Sequence, residues 1–157
     1  MTAPLGFDPK THRYWRANLP VSGFSEIRSS MGIGEGFRPM DLGRYLEEGT
    51  ALHHWLLFLA QGQDPEDPPD ERIASRVEGI RKFLGSGHFK FLDGEKPLVC
   101  DLPLFACTPD VWGHWEGEPC LVEMKRSAKA KWHPLQTAAQ ALALKQAGFP
   151  VKHRIGL

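Results

Sequence analysis

The run Thr108-Pro109-Asp110-Val111-Trp112-Gly113-His114-Trp115-Glu116-Gly117-Glu118-Pro119-Cys120-Leu121-Val122-Glu123-Met124-Lys125 decides how this chain folds. Val111 to Trp115 and Cys120 to Lys125 are rich in β-branched and aromatic residues, and Glu116-Gly117-Glu118-Pro119 between them is turn material. The spacing predicts two antiparallel strands joined by a tight turn. Side chains alternate faces along a strand, so Glu123 and Lys125 point one way while Val122 and Met124 point into a core. Asp110 stands at the start of the partner strand, where the hairpin carries it towards Glu123.

A pair of carboxylates so placed suits Mg²⁺ or Mn²⁺, hard cations that take oxygen ligands. A lysine beside the metal positions and activates water. Glu-x-Lys on an exposed hairpin is ordinarily a solvated pair of little energetic consequence, so the weight falls on the flanking sequence. Asp101, on the preceding strand, is either an additional acidic ligand or a solvent-facing strand residue.

Two flanking segments complete a pattern. Upstream, Glu48-Gly49-Thr50-Ala51-Leu52-His53-His54-Trp55-Leu56 lies in an expected helix; downstream, His133-Pro134-Leu135-Gln136-Thr137-Ala138-Ala139-Gln140 opens another. With the Pro-Asp and Glu-x-Lys pair between them, the chain resembles the RecB-like branch of the PD-(D/E)XK nuclease superfamily, especially its small stand-alone phage and prophage members. Phe7-Asp8 to His12-Arg13-Tyr14 and Pro20-Val21-Ser22 to Ile27 look like that family's amino-terminal strand pair and first helix, so the resemblance covers nearly the whole chain.

The resemblance implies an α/β restriction-endonuclease-like core with a central mixed β-sheet flanked by helices, and a single domain over residues 1–157. It implies that His53, Asp110 and Glu123 ligate metal, with the backbone carbonyl of Met124 as a further ligand, and that Lys125 orients the attacking water. His54 is the competitor for the histidine role; His53 holds the family spacing after Gly49-Thr50. Gln136 matches the glutamine of the family's Gln-x-x-x-Tyr motif, which steadies catalytic groups or contacts DNA. The tyrosine position holds Gln140, one helical turn on and on the same face, and a polar contact to DNA is the expectation there. The implied activity is phosphodiester hydrolysis by a DNA exonuclease of the recombination or repair type. The alternatives are a structure- or site-selective endonuclease and a catalytically weak nucleic-acid-binding module on the same fold. A single-strand annealing or binding protein is the partner the family suggests.

Composition agrees with one globular domain. The chain has 157 residues and a formal net charge of zero, close to the commonest domain size. No run of about 18 apolar residues marks a membrane span and no basic start leads into an apolar signal segment; a cytoplasmic protein is expected, in the host cytoplasm if phage-borne. Cys100, Cys107 and Cys120 form no Cys-x-x-Cys pair, so they read as core residues, with neither a disulfide framework nor an iron-sulfur cluster expected. The charge is unevenly spread. From Glu123 to Leu157 there are seven basic residues and one acidic, plus six, whereas the first 122 hold 12 basic and 18 acidic, minus six. Arg126, Lys129 and Lys131 follow Lys125 directly and are expected to contact DNA phosphates, with Trp132 stacking on a base or covering a sugar.

Along the chain, the pattern predicts strands near Arg13 to Val21, a helix near Ser22 to Ser30, and a flexible Gly32-x-Gly34-x-Gly36 loop that is no dinucleotide fingerprint. A long helix is expected from about Asp41 to Gln61, burying Leu42, Tyr45, Leu46, Leu52, Leu56 and Leu59. A second starts near Pro69-Asp70-Glu71 with Asp70 as cap and turns Ile73, Val77, Ile80 and Leu84 inward. Strands follow near Pro97 to Leu102 and Leu104 to Cys107, then the Asp110 hairpin, a helix from Pro134 to Ala147 closed by Gly148, and a last strand from Val151 to Ile155.

Overall fold

The computed structural model describes residues 4–33, 42–66, 68–125 and 132–157, with the backbone alone at Leu42 and Tyr45. Arg126, Lys129 and Lys131, the loop beyond Ile33 and the expected helix start at Asp41 lie outside the described residues.

The sequence is that of a hairpin around Asp110, and a hairpin forms. Taking strands and helices in chain order, β7 (Val111–Trp115) pairs antiparallel with β8 (Glu118–Glu123), Val111 opposite Val122 and Trp115 opposite Glu118. The turn is tighter than the four-residue stretch expected. Only Glu116 and Gly117 lie outside the strands, at φ of 51° and 87°, the two left-handed positions of a type I′ turn, whose twist matches the strands it joins.

The sheet grows on both sides of this hairpin. β4 (Phe89–Gly94) pairs antiparallel with β7, and β9 (His153–Gly156) pairs parallel with β8, giving the order β4-β7-β8-β9. Parallel neighbours need a long crossover, here supplied by α4 (His133–Gln146). That helix closes as a Schellman motif: the Phe149 N–H reaches the Leu144 carbonyl at 2.8 Å, the Gly148 N–H that of Lys145 at 3.1 Å, and Gly148 takes φ of 94°.

Alternation along β8 divides the sheet into two faces. Cys120, Val122 and Met124 join Val111 in a core with Leu52 and Leu56 of α2 (Leu42–Ala60) and Val77 and Ile80 of α3 (Ala74–Gly85). Leu121 and Trp112 face the other way, against Leu144 of α4. Helices on both faces of a mixed sheet make the described chain α/β. Leu46, expected in the core, is 58% exposed, because the apolar stripe of α2 is completed by Leu52 and Leu56 further on. Asp70 does not cap α3. Its carboxylate accepts the Arg72 N–H at 2.9 Å in the turn before the helix, and Ile73 stands at the N-cap without a side-chain bond.

The amino-terminal strands form a three-stranded antiparallel sheet, β1 (Leu5–Asp8), β2 (Arg13–Arg16) and β3 (Leu19–Val21), followed by α1 (Phe24–Ser30). Glu26 accepts the Gly23 N–H at 3.1 Å at the start of α1. A separate hairpin, β5 (Leu98–Asp101) with β6 (Leu104–Cys107), is inserted between β4 and β7. Tyr14 and Thr108 hydroxyls, 2.9 Å apart, tie the first sheet to the entry of the Asp110 hairpin. The three cysteines are free and buried. Among the described residues no helix is long and apolar enough to cross a membrane.

Candidate active site

Asp110 enters the site where the chain turns into β7. The carbonyls of Pro109 and Asp110 both accept the Glu95 N–H, at 3.0 and 2.9 Å, and Gly94 presses against the same stretch. A Cβ on Gly94 would lie 2.5 Å from the Asp110 carbonyl oxygen, closer than real side chains come. Gly94 is thus a supporting residue that the sequence reading missed; a glycine inside a strand is the signal that marks such close backbone approach.

Asp110 is 6% exposed and both its side-chain oxygens are engaged. Oδ1 lies 2.9 Å from His53 Nδ1 on α2, and Oδ2 accepts the Met124 backbone N–H at 2.6 Å. Burial by itself would disfavour the His53 imidazolium, but the hydrogen bond and negative charge of Asp110, with Glu123 behind it, outweigh burial and raise its pKa above the ordinary value. His54 points elsewhere: it is exposed, its ring 6.3 Å from that of Phe58.

Glu123 closes β8 on the α4 face and is 1% exposed. Lys125 Nζ donates to its Oε1 at 2.9 Å, Gln136 Nε2 to the same oxygen at 2.6 Å, and Gln140 Nε2 to Oε2 at 2.9 Å. Lys125 also donates to Gln136 Oε1 at 3.0 Å, so lysine, glutamine and glutamate form a closed triangle. Burial pushes the Glu123 carboxyl up to about 7, with the neighbouring Asp110 charge adding to the shift and Lys125 and His53 opposing it. The backbone here is held from the far side, where the Lys125 N–H donates to the Leu157 carbonyl at 2.7 Å and the Leu157 N–H to that of Glu123 at 3.0 Å.

The structure therefore brings together His53, Asp110, Glu123, Lys125 and Gln136, from α2, the β7 entry, β8 and α4. Gln140 belongs with them in a different role from the one expected. At 2% exposure it has no surface for DNA; it holds the second oxygen of Glu123, and its own Oε1 is buried with no hydrogen-bond partner among the described residues. Asp101 is not part of the group. It is exposed, pairs with Arg16, and its N–H donates to Gln146 Oε1 at 2.8 Å. Met124 turns its side chain into the α2/α3 core and its N–H to Asp110.

Trp132 lies beside the group, but its indole is occupied by cations. The Arg28 Cζ from α1 sits 4.1 Å from the ring centroid and Lys125 Nζ 5.5 Å from it. Burial and then the charges of Lys125 and Arg28 lower the pKa of neighbouring His133. No local pattern in the sequence links Arg28 to Lys125, since their proximity depends on how α1 is placed against the start of α4.

By chemistry, two carboxylates and an imidazole suit a hard or borderline divalent cation. As the side chains stand, the donors serve one another, and among the described residues no group of three or more His, Cys, Asp and Glu is gathered as a cation site. The chain matches no protein-family model, no curated protein and no solved structure, so its functional reading rests on these residues.

Proposed function

We propose that this chain is a divalent-metal-dependent DNA nuclease with a PD-(D/E)XK core of the RecB-like kind, hydrolysing phosphodiester bonds as an exonuclease. One observation carries the reading: two buried carboxylates, Asp110 and Glu123, meet at the strand ends with Lys125 and Gln136 bonded to the Glu123 oxygen. A buried acidic pair with its own lysine is costly to hold unless its charges are used.

Asp110, Glu123 and His53 are the residues that would hold Mg²⁺ or Mn²⁺, exchanging the His53–Asp110 contact for coordination. A bound cation of this kind lowers the pKa of water and offsets charge on a phosphoryl group. Lys125 supplies a positive charge beside the reacting phosphate, an effect that in a water-poor site contributes roughly 10²- to 10³-fold in rate. Gln136 fixes the Lys125 ammonium and the Glu123 oxygen relative to each other, and Gln140 fixes the carboxylate plane.

The test is degradation of end-labelled linear DNA and of closed circular DNA with Mg²⁺ or Mn²⁺, comparing the native chain with Lys125→Ala. Loss of linear DNA alone, abolished by the substitution, is the expected result. Cutting of circles would make it an endonuclease, and no metal-dependent cutting of either would refute the nuclease reading.

A further inference from the structure

We propose that Arg28 and Trp132 form a phosphate-gripping subsite for the DNA backbone next to the reacting phosphate; the proposal rests on the nuclease reading of the Asp110–Glu123 site. Two cations from different elements converge on one indole: the Arg28 guanidinium at 4.1 Å and the Lys125 ammonium at 5.5 Å from the ring centroid. Lys125 has a carboxylate partner in Glu123. Among the described residues Arg28 has none. A guanidinium laid over an indole keeps its hydrogen-bonding edge free while the ring fixes its plane. Such an edge matches two phosphate oxygens at once. Trp132 is the residue just before α4, whose first turns carry Gln136, so a chain of contacts runs from Arg28 through the indole to Lys125 and the Glu123 oxygen.

Placing the Arg28 guanidinium beside the Lys125 ammonium, whose own charge is answered by Glu123, is unfavourable by itself, since Arg28 has no carboxylate partner among the described residues. It becomes favourable when an anion lies between or alongside the two groups. A polyanionic strand lying across Lys125 supplies that anion at consecutive phosphates, whereas a lone mononucleotide engages one position only. The indole thereby acts as a mount for Arg28 and not as a stacking surface for a base.

The experiment measures binding of a short labelled DNA, as duplex and as single strand, in EDTA so that no turnover intervenes, over a range of salt. The variants are Arg28→Ala, Arg28→Lys, Trp132→Ala and, as a control arginine that lies on an indole but is already paired with Asp64 at 2.8 Å, Arg81→Ala. Arg81 lies over Trp55, 5.4 Å from its centroid, between α3 and α2 on the other side of the sheet. Arg28→Ala is expected to weaken binding about fivefold to tenfold and to lower the slope of log affinity against log salt by about 0.7 to 0.9, one phosphate contact. Arg28→Lys should restore the slope but not the full affinity, because an ammonium has no plane to fix. Trp132→Ala should weaken binding with Arg28 still present, and Arg81→Ala should leave the slope as it was. Unchanged affinity and slope in Arg28→Ala, or no binding of either DNA by the native chain, would overturn the subsite. The nuclease reading fails separately: native protein that loses a phosphate contact on Arg28→Ala yet never cuts DNA with Mg²⁺ or Mn²⁺ keeps the subsite and loses the activity.

Discussion

The Met124 backbone N–H donates to Asp110 Oδ2 at 2.6 Å, so the carboxylate that would hold metal also caps the end of the neighbouring strand. The two duties separate by substitution. Asp110→Asn keeps an acceptor for Met124, whereas Asp110→Ala leaves a buried N–H without one, worth about 1–3 kcal/mol. Denaturant unfolding is expected to show that loss in the alanine variant and at most about 1 kcal/mol in the asparagine variant. Both should lose any rise in melting temperature on adding Mn²⁺; an asparagine variant that keeps it would remove Asp110 from the metal site.

Protonation of the metal-free site gives a second expectation. Glu123 has its carboxyl raised to about 7 from an ordinary 4.5, and His53 is raised as well. A folded-state pKa above the unfolded one means that the native state binds the extra proton. The stability this confers is full below the unfolded value and is lost as pH rises through the folded value. Metal-free stability should therefore fall between about pH 4.5 and 7, by on the order of 3 kcal/mol. Glu123→Gln, which stays neutral, should flatten most of this slope. Mn²⁺ competes with the proton, so its stabilisation should grow over the same interval; a stabilisation independent of pH would argue against Glu123 as a ligand.

Gln140 is expected to act on turnover and not on DNA affinity. Gln140→Leu preserves volume and removes the unpartnered Oε1, but leaves Glu123 Oε2 with only the long contact from the Asp110 N–H at 3.5 Å. Stability should change by less than about 1 kcal/mol, since losing an unsatisfied atom offsets losing a bond. The rate should drop roughly tenfold with KM unchanged and the acid limb of the pH–rate profile moved upward. A change in KM alone would restore a DNA-contacting role.

Two glycines provide a structural contrast. Gly94→Ala drives a methyl group to 2.5 Å from the Asp110 carbonyl and 2.9 Å from Val111 Cγ1, so the Asp110 turn must shift. A loss of about 1–3 kcal/mol is expected by urea denaturation, accompanied by loss of activity. Gly79→Ala, in α3, meets nothing within 4 Å and should stabilise by about 0.5–1 kcal/mol with activity intact. Equal effects at both positions would mean that Gly94 does not set the position of Asp110.

The sequence made the site more legible than its surroundings. Strand alternation put Glu123 with Lys125 and Val122 with Met124, and these pairs share faces as expected. Spacing after Gly49-Thr50 selected His53 over His54, and His53 is the one that meets Asp110. Periodicity puts Gln140 on the same helix face as Gln136 but leaves a contact to DNA as its expected role, because a period locates a face without saying how deep it lies. β4 escaped notice since its register shifts between Phe91 and Asp93, which breaks the simple alternation that identifies a strand. Arg28 escaped because nothing local records which helix its side chain will cover.

The alternation along β8 also dictates what kinds of change the gene can tolerate. Cys120 and Val122 serve the α2/α3 core, Leu121 and Glu123 the α4 face, all within one six-residue strand. Single substitutions there alter one duty at a time. A one-residue deletion between Gly117 and Glu123 would flip every residue that follows it, turning Glu123 and Lys125 together into the apolar layer and Val122 towards α4. Variation in β8 should accordingly arise by replacement of residues at constant length, and insertions should be confined to the Glu116–Gly117 turn, where length can change without moving either face.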